Sequence, residues 1–275
     1  MNALSNSFDA AAARQRCKAY RKRILDISQN VTALHIAPAF SAMEAVDVIY
    51  NGLMRRGAKG ELLDTFLMSK GHGCMPQYVI LEALGILSAE DLALYCKPEG
   101  RLGAHPDYGT PGIAASTGSL GHGMGMAVGM AYANRLQKDP AHTYVVVSDG
   151  EFQEGSTWEA IMMAANLKVD NLTAFLDLND FSGMDRMSVT HPAFYPVVEK
   201  LRAFGWEAHE VNGHNAEAVY EASQRRVAGK PLLVVCKTVK GRGVSFMEHV
   251  PIWHYRSPSK QEYEQALREL TEIAS

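Results

Sequence analysis

The sequence predicts an α/β protein built on a mainly parallel sheet with helices on both faces. Three observations lead there: short β-branched runs recur along the chain, amphipathic stretches of helical period separate them, and acidic or glycine-bearing turns follow the runs. Taken in order, apolar residues at helical spacing place helices over 8–28 and 41–55, and "TFLMS" reads as a strand over 65–69. Helices over 76–85 and 120–137 precede the strand "TYVVVS" at 143–148, and a helix over 154–166 leads to the strand "NLTAFLD" at 171–177. A helix over 193–204, the strand "WEAHEV" at 206–211, a helix over 215–227, the strand "PLLVVCKT" at 231–238 and a charged helix over 259–270 complete the alternation.

At 275 residues, with 47% hydrophobic and 21% charged positions, the chain can bury a large core. No repeat or linker interrupts residues 10 to 250, so a single domain over 1–275 is expected, its segment 256–275 forming a C-terminal loop and helix that packs on the domain or leads toward a partner. The net charge of −3 is spread without a basic stripe, which argues against nucleic acid and anionic membranes as partners. No run reaches the roughly 18 apolar residues of a membrane span, and the N-terminus lacks a signal-peptide core, so a cytoplasmic location is expected. Cys17, Cys74, Cys96 and Cys236 lie far apart and read as reduced thiols.

Ligands of such folds sit beyond the carboxyl ends of the strands, and "SDGEFQEG" at 148–155 lies there. Asp149 and Gly150 fit a helix-capping turn. They also fit a metal loop, because Asn179 ends the next strand in "LNDFSG" as Asp149 ends its own. Adjacent parallel strands would then bring together a carboxylate, an amide oxygen and the carbonyl of Phe181. These are half of an oxygen shell suited to magnesium or calcium, which a ligand's diphosphate could complete. The stretch "STGSLGHGMGMAVGMAYANRL" packs Gly118, Gly121, Gly123, Gly125 and Gly129 into the opening of a helix, where a ring or phosphate can approach the backbone. It is neither a dinucleotide fingerprint nor a Walker loop.

These segments, together with "HIAPAFSAMEAVDVIY", "SKGHGCMPQY", "GAHPD", "RAFGWEAHEVNGHN" and "KTVKGRGVSFME" followed by "WH", resemble in order the motifs of the transketolases, from about residue 14 to 270. Transketolases are thiamine diphosphate enzymes that move two-carbon ketol units between sugars. The resemblance implies a thiamine diphosphate-binding fold that grips the diphosphate end of the cofactor. It implies that Asp149, Asn179 and the carbonyl of Phe181 hold magnesium, or calcium or manganese, with Gly150 admitting the phosphate and His72 donating to it. Gly118 and Leu120 would present backbone to the aminopyrimidine, and Glu154 would lie at a subunit contact that bears on the cofactor. His35 and His254 would act on the carbonyl and hydroxyl oxygens, and His105 would bind the hydroxyl of the two-carbon unit. His122, His142, His191, His209, His214 and His249 are read as ordinary structural or surface residues.

Three positions depart from the family pattern: Ile36-Ala37-Pro38 in place of Pro-Gly-Gly, His122 in place of glutamine, and Tyr255 in place of glycine. Bulk at Ile36 or Tyr255 is expected to reshape the substrate pocket. The resemblance also implies a split enzyme, because the segments that grip the pyrimidine and a substrate's phosphate have no counterpart here. A C-terminal transketolase subunit is therefore the expected partner, in an α2β2 assembly acting on sugars or sugar phosphates. The α chain of a 2-oxo acid dehydrogenase and a noncatalytic binding module are the alternatives.

Overall fold

The computed structural model describes residues 8–31 and 34–272. Its central sheet has five parallel strands: β1 (Thr65–Met68), β2 (Thr143–Ser148), β3 (Leu172–Leu178), β6 (Glu207–Asn212) and β7 (Leu232–Lys237), in the spatial order β1-β2-β3-β7-β6. A two-residue ribbon, β4 (Phe181–Ser182) with β5 (Asp185–Arg186), stands apart.

The helices are α1 (Ala10–Ser28), α2 (Ile36–Val48), α3 (Met75–Ala83), α4 (Ala89–Ala93), α5 (Gly123–Leu136), α6 (Gly155–Asn166), α7 (Met187–Thr190), α8 (Val197–Ala203), α9 (Ala216–Ser223) and α10 (Lys260–Glu272). The crossovers through α5, α6 and α8 step in one direction across the sheet, whereas α9 returns from β6 to β7. Right-handed crossovers therefore put α9 on the opposite face, where α1, α2 and α3 also pack.

Strand period sorts the core between those faces. In β2, Tyr144 and Val146 join Phe40, Met43, Phe66 and Phe175 on the α2 face. Val145 and Val147 join Ile161, Leu176, Leu201 and Trp206 on the α6 face. Every residue of α2 is buried, so this helix forms the centre of one layer.

The strands fall within a residue or two of their expected positions, but the second helix does not. It starts at Ile36 rather than 41 and passes at Ile49–Leu53 into a wider π turn. Pro38 looks like a helix breaker, yet it occupies the first turn, where its missing N–H leaves no hydrogen bond unmade. The early start places His35 at the helix N-cap. The short α4 is not among the expected helices, although Ser88 and Asp91 form a capping box readable in "SAED". At the C-terminus, α10 packs on α1, with Lys18 donating to the Thr271 carbonyl and the Tyr263 hydroxyl to Asp26. Among the described residues no helix is long and apolar enough to cross a membrane.

Candidate active site

Beyond the carboxyl ends of β1, β2 and β3 lies a cavity of about 240 Å³ lined by His35, Lys70, His72, Gly118, Leu120, Gly150, Asn179, Phe181, Lys240 and His254, among others. Strand register builds it. Ser148 pairs with Asp177, so Asp149 and Asn179 leave neighbouring strand ends. Ser148 caps the turn Asp149–Gln153, and its partner in the capping box is Glu151, whose carboxylate also accepts from the Ser69 hydroxyl. Asp149 is thus the first residue of the turn and not its cap.

The histidine segments converge through two turns that touch backbone to backbone. A Cβ at Gly71 would come within 2.7 Å of the Gly118 backbone, and one at Gly118, where φ is 123°, would strike the His105 ring. As a result the His35 ring lies 5.3 Å from that of His72, 6.3 Å from that of His105 and 5.4 Å from that of His254. His105 itself lies behind Gly118 and outside the cavity lining. Of the other glycines, Gly121 packs against Glu154 and Ser156 and Gly123 against Ser69, whereas Gly125 and Gly129 face open space.

Burial and positive neighbours keep His35, His72 and His254 neutral. Desolvation, helped by His105, Lys70 and Lys240, lowers His35 to about 4. Desolvation and Lys240 lower His254 to about 3, and His72 lies well below its ordinary value through burial and the nearby Lys70. The Lys240 ammonium lies 2.9 Å from Nδ1 of His254 and donates to the Gly183 carbonyl. A donor at Nδ1 leaves Nε2 as the protonated nitrogen of His254.

Two charges there are pushed toward neutrality. Burial, reinforced by Asp177, raises Asp149 to about 7, although its carboxylate accepts from the Gly150 and Asp180 amides. Burial beside Lys70 lowers Lys240 to about 8. Beneath them Lys70 pairs with Asp177 and donates to the Pro38 carbonyl. Burial opposes ionisation of Asp177, but Lys70, Ser41 and Thr238 more than offset it. Asp177 in turn accepts from the Asn179 amide at 3.0 Å, which turns the Asn179 oxygen toward the Phe181 N–H.

These residues fit a cation bound to a diphosphate. Asp149, the Asn179 oxygen and the Phe181 carbonyl belong to one loop pair, and a cation would restore Asp149 to its anionic form. Among the described residues no three His, Cys, Asp or Glu side chains are grouped to hold a metal, so the ion would depend on amide, carbonyl and ligand oxygens. A Cβ at Gly150 would lie 3.3 Å from the Ser182 hydroxyl, narrowing the space for a phosphate.

Sequence reasoning assigned no role to Lys70, Asp177 or Lys240. The signal was present, since both lysines adjoin the glycines of "SKGHG" and "KTVKGRG", as cations that meet an anionic ligand do. One expectation needs correction. Ile36 is fully buried in the core and does not reshape the cavity, because the early start of α2 turns it inward. Tyr255 does overhang the site: its ring is 4.5 Å from that of His35 and more than half exposed. Glu154 is exposed and outside the cavity lining.

A parallel sheet with neutral imidazoles, two lysines and a buried acid at its carboxyl edge defines an α/β protein whose site suits an anionic ligand. The profile described as "Transketolase, thiamine diphosphate binding domain" matches residues 12–265, and the chain belongs to the transketolase family. It is 37% identical over 259 residues to one of the named subunits of the apulose-4-phosphate transketolase of Phocaeicola vulgatus, covering 92% of this chain and 91% of that one. It is 33% identical over 256 residues to the 6-deoxy-6-sulfo-D-fructose transketolase subunit SqwG of a Clostridium species, covering 91% and 93%. The structure of transketolase from Leishmania mexicana superposes with a TM-score of 0.85 at 26% identity, over 94% of this chain but only 41% of that longer one.

Proposed function

We propose that the chain is the N-terminal subunit of a two-subunit transketolase that moves a two-carbon ketol unit from a ketose or ketose phosphate to an aldose. The observation that carries this reading is the convergence of His35, His72, His105 and His254, with Lys240, over the strand ends. Thiamine diphosphate, when bound, supplies the carbanion equivalent that such a transfer requires. Asp149, Asn179 and the Phe181 carbonyl hold magnesium, while His72, Gly150 and Lys240 meet the diphosphate. Gly118 and Leu120 lie against the aminopyrimidine. His254 presents Nε2–H to a substrate oxygen, and neutral His35 accepts a hydroxyl proton as the carbon–carbon bond breaks. His105, which stands behind Gly118 outside the cavity lining, is assigned the hydroxyl of the two-carbon unit on the family resemblance alone.

The names of the relatives support the two-chain arrangement. The chain covers most of two relatives that are themselves named as subunits, and 41% of the longer transketolase chain from Leishmania mexicana. In this reading a second polypeptide, the C-terminal transketolase subunit, holds the pyrimidine, in a heterotetramer of two chains of each kind. The open face of α5 at Gly125 and Gly129 and the exposed Met162 and Met163 of α6 suit close packing against it, with Glu154 at the contact. The free thiols Cys17, Cys74, Cys96 and Cys236 suit the cytoplasm. Both relatives are named for ketoses with an anionic end, and a sugar of that class fits the mouth beneath Tyr255.

Co-expression with the partner, followed by a coupled assay over a panel of ketose donors and aldose acceptors, tests the proposal. Transfer by the pair and none by this chain is the expected result. Transfer by this chain in a preparation that mass spectrometry shows to hold nothing else overturns the split arrangement, and a cofactor-loaded pair inert toward every donor overturns ketol transfer.

A further inference from the structure

A second cavity of about 200 Å³ opens between α1, α10 and the loop after β7. Arg14, Lys18 and Arg21 line it from successive turns of one face of α1, and Arg242 faces them. At its base the Arg21 guanidinium donates to both Glu44 oxygens, and Glu44 lies 3.1 Å from Nδ1 of His214, so the one acid in the lining is already matched. Arg242 makes only a 3.4 Å contact with Glu248, and Lys18 donates to a neutral carbonyl. Among the described residues Arg14 and Lys18 have no ion-pair partner. Four cations and one carboxylate thus face a space that fits a phosphate group and a few carbons, with Cys17 and Leu270 supplying apolar wall.

This cavity is connected to the catalytic one. His214 contacts Glu44 through Nδ1 and accepts from the Val239 amide through Nε2 at 2.8 Å, and Val239 immediately precedes Lys240. The segment from 239 to 243 therefore borders both cavities, with Lys240 in one and Arg242 in the other.

We propose that the cavity between α1 and Arg242 is a second ligand site that takes the phosphate group of a small metabolite, and that its occupancy reaches Lys240 through His214 and Val239. The site stands on its own geometry and does not depend on ketol transfer.

The test follows the His214 imidazole carbon and proton resonances of the full chain as inorganic phosphate is added, and in a second arm as glycerol 3-phosphate is added. The resonances are expected to move saturably, and Arg14→Ala with Lys18→Ala is expected to weaken the apparent affinity about 10-fold or more. Both side chains are partly or fully exposed, so the double variant should keep its fold, which far-ultraviolet circular dichroism checks. Tighter binding in the second arm identifies a phosphate ester as the ligand, and tighter binding in the first identifies free phosphate. A static His214 signal, the same movement with chloride at matched ionic strength, or an unchanged affinity in the double variant overturns the site.

Discussion

The two ends of the sheet both bury charge, and they treat it in opposite ways. At the amino end Asp64 accepts from the Arg55 guanidinium and from the amides of Arg55 and His142. His142 meets Thr173 through Nε2 and Arg226 through Nδ1, and Arg226 also donates to the Tyr144 hydroxyl. Each charge or imidazole there has its partner within the chain. At the carboxyl end Asp149 is pushed up to about 7 and Lys240 down to about 8, so an acid and a base are both poorly matched. A closed set of partners stabilises the fold, whereas an open set of this kind leaves interactions for a ligand to complete.

The contrast is tested most strongly by removing one acid from each end. Asp149→Ala in the assembled enzyme should lower kcat/KM by about 10³-fold or more, on the scale of a lost electrostatic anchor, and abolish magnesium-dependent cofactor binding. Calorimetry with unchanged cofactor affinity in a folded variant would refute the assignment. Next in size, His254→Ala should lower turnover by roughly 10²-fold with cofactor affinity nearly intact, which steady-state kinetics and calorimetry separate. A turnover equal to that of the unaltered enzyme would move proton transfer to another group.

At the amino end Asp64→Ala should act on stability alone. The orphaned amides of Arg55 and His142 cost about 1–3 kcal/mol, while the Arg55 guanidinium, 44% exposed, returns to water. Denaturant unfolding measures the loss, and turnover per folded molecule should not change. A turnover defect matching that of Asp149→Ala would erase the distinction between the ends.

The carboxyl end was the more legible of the two in the sequence. Asp149 and His72 stand beside glycines, Asn179 ends a strand as Asp149 does, and the four histidines fall in segments that resemble those of the family in order. The structure places His35, His72, His254 and Asn179 in the cavity lining, with Asp149 fully buried beneath it and His105 behind Gly118, while Glu154 is exposed away from it. What could not be read depends on three-dimensional packing. Lys70 and Asp177 come from strands that are not neighbours and meet only across the end of β2. The partners of His142 are equally distant in sequence, and the start of α2 was hidden because Pro38 is harmless only in a first turn.

The smallest expected effect is on pH dependence, and it treats the two ends alike. His35 and His254 at the carboxyl end lie at about 4 and about 3, and His142 at the amino end at about 3, mainly through burial. An unfolded imidazole titrates near 6.5. Between pH 6.5 and 4 the unfolded chain therefore binds more protons than the native one, and stability falls as pH is lowered through that window. Asp149 and Glu151 work the other way, because a raised carboxyl takes up its proton in the native chain first, but they are outnumbered by the lowered imidazoles, which include His72 and His209. Melting temperature should thus drop from pH 6.5 to 4, with a shallower slope in His254→Gln and again in His142→Gln. A slope that His142→Gln flattens and His254→Gln leaves untouched would show that the carboxyl-end imidazoles are hydrated, and that only the closed end of the sheet excludes water from its histidine.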